Sequence, residues 1–328
     1  MTVAVDNVTQ TPVLPQRHKL GMGRHHMAIF LALFVFMLVA PFFLYPIFLM
    51  KVMCFALFAC AFNLLLGFGG LLSFGHAAFF GSASYVSAHA AKVWGLTPEL
   101  AILSGTFVAC ILGLAIGSLA IRRQGIYFAM VTLAFAQMVY FFSLQAPFTG
   151  GEDGIQAVPR GSLLGVINIA PDMTFYYVVL AISFCGLLAL YRIIHSPFGQ
   201  VLKAIRENEP RAVSLGYHVN RYKLAVFVIS ATFAGLAGAT KALVFQLASL
   251  TDVYWTMSGE VVLMTLLGGM GTVFGPIVGA AIIVAMQNYF ASFGAWVTIM
   301  QGVIFVIAVL LFREGIVGVI AKRLRRPL

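Results

Sequence analysis

The chain has 328 residues, of which 61% are hydrophobic and only 9% charged, with a mean hydropathy of +0.99 and a net charge of +10. Soluble domains carry about 25% charged residues, so this composition excludes a soluble globular protein and indicates an integral membrane protein. The basic residues fall at the ends of apolar runs, where they set orientation instead of forming a stripe for nucleic acid, and no nucleic-acid partner is expected.

In chain order, residues 1–27 are polar and read as a cytoplasmic amino-terminal tail. The apolar run that follows from Ala28 exceeds a signal-peptide core and has no A-x-A-like site after it, so it is expected to be an uncleaved first span. A spanning helix needs about 20 mostly apolar residues. Punctuation by Gly, Pro and charge gives such runs near 28–46, 48–66, 72–91, 99–121, 126–145, 174–194, 223–247, 259–273, 276–293 and 296–312. They are too long and continuous for barrel strands, which run to about ten residues. The expected fold is therefore an all-α polytopic bundle of about ten spans, some broken by glycine, filling residues 28–312 and followed by a basic cytoplasmic tail, 313–328.

With the amino terminus inside, every lysine and arginine except Lys51, Lys92, Arg160 and Lys241 falls on the cytoplasmic side or in the tails, as the positive-inside rule favours. Both termini are then cytoplasmic. The segment 146–173 becomes a long outer loop, and its TGGEDG turn presents Glu152 and Asp153 to solvent or to a docking protein. Two glycine-rich stretches, LLGFGGLLSFG from Leu65 and LLGGMGTVFG from Leu266, resemble each other and sit at the cytoplasmic side, as a parallel internal repeat would. Gly67, Gly69, Gly70, Ser73, Gly75 and His76 form one helix break, and Gly268, Gly269, Gly271 and Gly275 the other. Broken helices are tolerated where they face protein or a water-filled cavity, so both are candidates for the translocation path or its gate, with close helix packing as the alternative. His76, after the cap-competent Ser73, reads as a packing histidine, and Asn63 as hydrogen-bonding glue between helices.

The segment 196–222 concentrates charge in a chain that has little. Ser196 can cap a helix with Pro197 at its first position, and Phe198, Val201, Leu202 and Ile205 recur on one face. Lys203, Arg206 and Glu207 lie opposite, and Asn208 offers a second cap before Glu209, Pro210 and Arg211, with Gly216 as the stop. Two short helices joined by a corner are expected across the cytoplasmic face. Their apolar stripe rests on membrane lipid, on the other helices or in a partner's groove. The mixed signs of Arg206, Glu207, Glu209 and Arg211 suit a protein partner better than lipid alone.

The blocks NLLLGFGGLLSFGHAAFFG, TGGEDGI, SPFGQVLKAIRENEPRAVSLGYHVNRYKLAVFVISATFAGLAGA and LGGMGTVFGPIVGA, in this order, resemble the permease subunits of ABC importers for branched-chain amino acids, of the LivM type, over about residues 45–315. The resemblance implies that 196–222 is the loop coupling to the ATPase, with Pro210 standing where the family more often has a charged or small residue. It further implies a heterodimer with a related permease, two cytoplasmic ATP-binding subunits and a periplasmic substrate-binding protein that docks near Glu152 and Asp153, in the bacterial inner membrane. Relatives that carry urea or short amides leave the solute open.

No G-x-x-x-x-G-K-[ST] occurs, nor HExxH or GxSxG, so no ATP site, catalytic residue or cofactor is expected in the chain itself. Cys54, Cys60, Cys110 and Cys185 sit in apolar runs without metal-binding spacing, and no metal is expected. An ion-coupled carrier would be expected to hold midplane acids. The spans offer only Glu260, near an outer end, and Lys241, read as snorkelling or lining the path.

Overall fold

The computed structural model describes residues 24–163, 165, 167–291, 294, 296–311 and 315–324. Residues 1–23 of the expected tail, with Arg17 and Lys19, and the last four residues lie outside this range, while residues 24–27 belong to the first helix. Each apolar run forms a helix: α1 Arg24–Val39, α2 Pro46–Asn63, α3 His76–Lys92, α4 Pro98–Ala120, α5 Ile126–Gln145, α6 Asp172–His195, α9 Val219–Phe245, α10 Trp255–Gly268, α11 Gly275–Tyr289 and α12 Trp296–Leu311. The charged segment supplies α7 Pro197–Glu207 and α8 Glu209–Ser214, and the basic tail contains a further helix, α13 Gly315–Leu324, packed against α10 and α11.

Five helices among the described residues are long and apolar enough to cross a bilayer: Pro46–Phe68, Pro98–Ala120, Ile126–Gln145, Asp172–His195 and Val219–Phe245. The protein is thus a multi-pass helical membrane protein. The expectation of about ten spans is met only in the number of helices, because α10 ends at the second glycine break after 14 residues, a rise of about 21 Å. That is short of the ~30 Å hydrocarbon core.

The helix extending through Pro46–Phe68 is the bundle's axis, 89% buried, with α6, α9, α10 and α11 packed around it. Its last turn, Leu64–Phe68, widens into a π-helix before the first glycine break. Behind it, α9 lies against α3 and α4 along a seam of small residues. Gly235 faces Ala109, Gly113 faces Ala231, and Gly238 lies directly on the Phe80 backbone. Lipid tails are as apolar as leucine, so association here rests on such close backbone approach and not on hydrophobic burial.

Two short antiparallel ladders lie at the end of the bundle that carries the loop after α5. Ile155–Gln156 (β1) pairs with Leu247–Ala248 (β4), and Ser162–Leu163 (β2) with Ile167–Asn168 (β3). The first ladder ties the loop after α5 to the end of α9.

Candidate coupling site and the helix breaks beneath it

The helix pair forms as its capping residues dictate. Ser196 Oγ accepts from the Gly199 amide at 3.3 Å with Pro197 in the first turn, and Asn208 Oδ1 accepts from the Arg211 amide at 3.0 Å with Pro210 in the first turn of α8. Gly216 ends it with φ +86°. On the inner face, Leu202, Ile205 and Ala212 are buried, and Phe198 stacks on Tyr222 with ring centroids 5.7 Å apart.

Two charges of the pair are also tied to the bundle, although Arg206 stays exposed and Glu209 half-buried. Arg206 donates to the Gly67 carbonyl in the break after α2. Both carboxylate oxygens of Glu209 accept from Lys223 Nζ at 2.8 Å, and Gln124 Nε2 donates to Glu209 at 3.3 Å. Lys203 lies 5.4 Å from the Phe68 ring. Backbone carbonyls freed by the π-turn and a lysine at the start of α9 need partners, and Arg206 and Glu209 are the groups within reach. What remains outward is Glu207, Arg211 and an apolar edge, with Val213 57% and Leu215 68% exposed. A groove of about 500 Å³ lined by Gln124, Glu209, Val213, Tyr217, His218 and Arg221 opens beside it.

Directly beneath, the two glycine breaks meet. Asn63 Oδ1 accepts from the Gly271 amide at 2.9 Å and its Nδ2 donates to the Thr272 carbonyl at 2.8 Å. A Cβ on Gly67 would lie 2.6 Å from the Gly271 nitrogen, so the backbones touch. Thr272 Oγ1 donates to Gly269 O at 2.7 Å and accepts from Gly275 N at 3.1 Å, which holds the second break in shape, while Gly315 backs onto Gly268 and Gly269. Gly269, at φ +121°, occupies backbone space that side chains with a Cβ avoid. A cavity of about 230 Å³ lined by Gly69, Gly70, Ile205, Arg206, Glu209 and Lys223 separates the break from α7. Asn63→Ala is expected to destabilise the purified protein by about 1–3 kcal/mol in thermal unfolding, since it leaves two backbone groups without partners.

Ser73, Gly75 and His76 lie apart from this knot. The N-cap of α3 is Gly75, not Ser73, and no side chain caps the helix; Ser73 Oγ instead accepts from Gly75 N at 3.1 Å. His76 is fully buried among Phe62, Phe79 and Phe227, with Nε2 2.9 Å from Ser230 Oγ. Ser230 spends its proton on the Ala61 carbonyl at 2.5 Å, so the imidazole donates through Nε2 and packs α3 against α9 and α2.

At the opposite end, Glu152 and Asp153 are exposed on a 3-10 turn flanked by Gly150, Gly151 and Gly154, all at positive φ. The loop behind them is fastened firmly. His89 stacks on Phe148 with centroids 4.0 Å apart, and Lys92 Nζ donates to Gln156 O at 2.7 Å. Arg160 donates to the Leu243 and Val244 carbonyls at 3.4 and 3.0 Å, closing the end of α9, and pairs with Asp172 at 2.5 Å. By charge and topology alone Arg160 reads only as a residue of the loop 146–173. Its signal was chemical: a guanidinium suits the last-turn carbonyls of a helix. The same 27-residue helix thus carries Lys223, which holds Glu209, at one end and Arg160's anchor at the other.

Of the two expectations for Lys241, snorkelling is not met. It neither snorkels nor stands free: its ammonium lies 2.8 and 2.6 Å from the two oxygens of Asp252, which is 2% exposed. Asp252 reads in sequence as a loop residue, and its burial appears only when the 3-10 turn Leu250–Asp252 folds against α3. Among the described residues no cluster of His, Cys, Asp and Glu suits a metal.

Residues 45–309 match the family described as branched-chain amino acid transport system / permease component. The chain is 28% identical over 241 residues to the high-affinity branched-chain amino acid transport system permease proteins LivM of Salmonella typhimurium and of Escherichia coli, over 66% of this chain and 57% of each relative. It is 25% identical over 267 residues to the probable branched-chain amino acid transport permease protein LivH of Methanocaldococcus jannaschii, over 75% of this chain and 82% of that one. The chain thus spans little more than half the length of the LivM relatives it matches. No solved structure matches it. Because the family match runs through both glycine breaks, the outer loop and the helix pair α7–α8, this chain belongs to the permease-component family of branched-chain amino acid transport systems.

Proposed function

We propose that this protein is the LivM-type permease subunit of an ATP-driven importer, pairing with a related permease to form a pathway for branched-chain or other small neutral amino acids. The observation that carries the reading is the helix pair at 197–214: its outer edge is open to a partner, while Arg206 and Glu209 tie its inner side to the break after α2 and to the start of α9. A push on Glu207, Arg211, Val213 and Leu215 by a cytoplasmic ATP-binding subunit therefore reaches the two breaks and the long helix without passing through flexible chain. Two such subunits supply the energy, since this chain carries no phosphate-binding loop. Gly67, Gly69, Gly70, Gly268, Gly269 and Gly271 form the moving part of the path. The loop at Glu152 and Asp153 receives a periplasmic binding protein, and its hold on α9 through Arg160 links docking outside to coupling inside. The five long helices cross the cytoplasmic membrane of a bacterium, the shorter ones enter it and meet at the breaks, and both termini lie inside.

The test is uptake of radiolabelled leucine into vesicles holding the full complex, with and without internal ATP. Uptake that needs ATP and survives a protonophore supports the reading. Movement of urea or a short amide but not leucine would change the solute, and gradient-driven uptake without ATPases would overturn the mechanism. In the same vesicles, Arg206→Glu with Glu207→Arg is expected to lower ATP-driven uptake at least tenfold while the protein still inserts; normal uptake in that variant removes the coupling assignment.

A further inference from the structure

Of the five helices long enough to cross the membrane, α5 is the most open, 28% buried against 39% or more in the others. Its neighbour α4 shows what a lipid-facing surface looks like in this protein. Leu103, Phe107, Ile111 and Leu114 of α4 are at least half exposed, and the hydroxyls of Ser104, Thr106 and Ser118 donate to carbonyls three or four residues back in the same helix, each at 2.8 Å. Every hydroxyl there is satisfied locally. The open face of α5 differs: Tyr127, Met130 and Phe141 are exposed, and Ala134 and Gln137 continue the same stripe at three- and four-residue spacing. Gln137 is half-buried and makes no hydrogen bond among the described residues. It stands about 16 Å from the start of the helix Ile126–Gln145, which places its amide near the middle of a ~30 Å hydrocarbon core. One turn further on, the Tyr140 ring packs on Tyr254 with centroids 5.1 Å apart, so this flank of α5 borders the start of α10.

A serine or threonine returns its one proton to its own helix, but a glutamine amide, with two donors and an acceptor, cannot be completed that way. Hydrocarbon offers it nothing. An outward glutamine at this depth therefore requires a hydrogen-bonding surface from another helix, which makes the occupant of this face protein and not lipid. We propose that the stripe Met130, Ala134, Gln137 and Phe141 is the surface on which the related permease seats a transmembrane helix, with the Gln137 amide hydrogen-bonding across the contact. Ala134, about one turn before it, is small enough to let the two backbones approach. The inference deepens the paired-permease reading above and rests on it: it places that pairing on α5 and leaves the apolar face of α4 to lipid.

The experiment uses the complete complex in membranes, with an affinity tag on the related permease alone. Recovery of the wild-type chain by that tag is read first; none at all defeats the paired reading itself, before any surface is considered. Given recovery, the photoreactive amino acid benzoylphenylalanine at position 134 or 141 of α5 is expected to give, on illumination, a product with the summed mass of the two permeases. The same group at position 107 or 114 of α4 is expected to give none. A product from the α4 positions alone, or from neither helix, overturns the proposal; the second result is also what a lipid-facing or water-lined α5 would give. Gln137→Leu supplies an independent reading, because a glutamine facing lipid gains from becoming leucine whereas one bonded across an interface loses its partner. Recovery by the tag in detergent is expected to fall at least threefold in Gln137→Leu and to stay at the wild-type value in Thr106→Val on α4. Unchanged or higher recovery in Gln137→Leu overturns the proposal, and should that variant not insert, the crosslinks decide alone.

Discussion

Asp252→Ala is expected to destabilise the protein by about 3–5 kcal/mol, because it leaves the Lys241 ammonium buried with no carboxylate to accept from it. Lys241 is 7% exposed and sits on α9 against α3, too deep for its four-carbon stem to carry the charge to water without repacking. The reciprocal change, Lys241→Met, leaves Asp252 with only Ser84 and the Ser249 amide, and is expected to lose slightly less. The double variant Lys241→Met with Asp252→Leu should recover most of the loss, since removing both charges removes the desolvation penalty with the attraction. Thermal unfolding of the purified protein in detergent compares the four forms. Equal losses in the single and double variants would mean that the turn Leu250–Asp252 is held by backbone alone.

Gly238→Val is expected to cost about 3 kcal/mol and to lower the yield of folded protein in the membrane. A Cβ at this position falls on the Phe80 carbonyl, and neither backbone can withdraw: α3 and α9 are buried on both sides of the contact. Separating them by even an ångström also opens the Gly235–Ala83 approach along the same seam. Gly259→Ala is the control, since an added methyl there meets no heavy atom within 4 Å. Expression followed by size-exclusion chromatography distinguishes the two, and a Gly238→Val protein as monodisperse as Gly259→Ala would show that the helices slide more freely than the contact implies.

Much of the architecture was legible because a membrane imposes one-dimensional rules. Run length and hydropathy locate helices without knowledge of their neighbours, and the helix at Ile126–Gln145 falls where the apolar run predicts. The same holds for α7 and α8, whose boundaries follow from Ser196, Pro197, Asn208 and Gly216, residues acting on backbone within three positions of themselves. Partnership across the fold was less legible. Nothing local tells that Arg206 reaches back 139 residues to Gly67, or that Asn63 grips a break 208 residues away. The glycines of the two stretches did mark both as breaks, but glycine content says only that both bend, not that they touch.

Composition and local pattern by themselves therefore determined a multi-pass helical protein, the places where its helices start, stop and break, and the one charged segment built to lie outside the bilayer. Those features depend on hydrophobic transfer and on backbone groups seeking partners a few residues away, both of which are written along the chain. Only the tertiary structure decided which partner each charge takes: Arg206 the Gly67 carbonyl, Glu209 the buried Lys223, Lys241 the buried Asp252 and Arg160 the end of α9. The physical reason is that a charge in a poorly hydrated interior takes whichever complementary group packing brings within about 3 Å, and that choice is made by how helices cross, not by how residues follow one another.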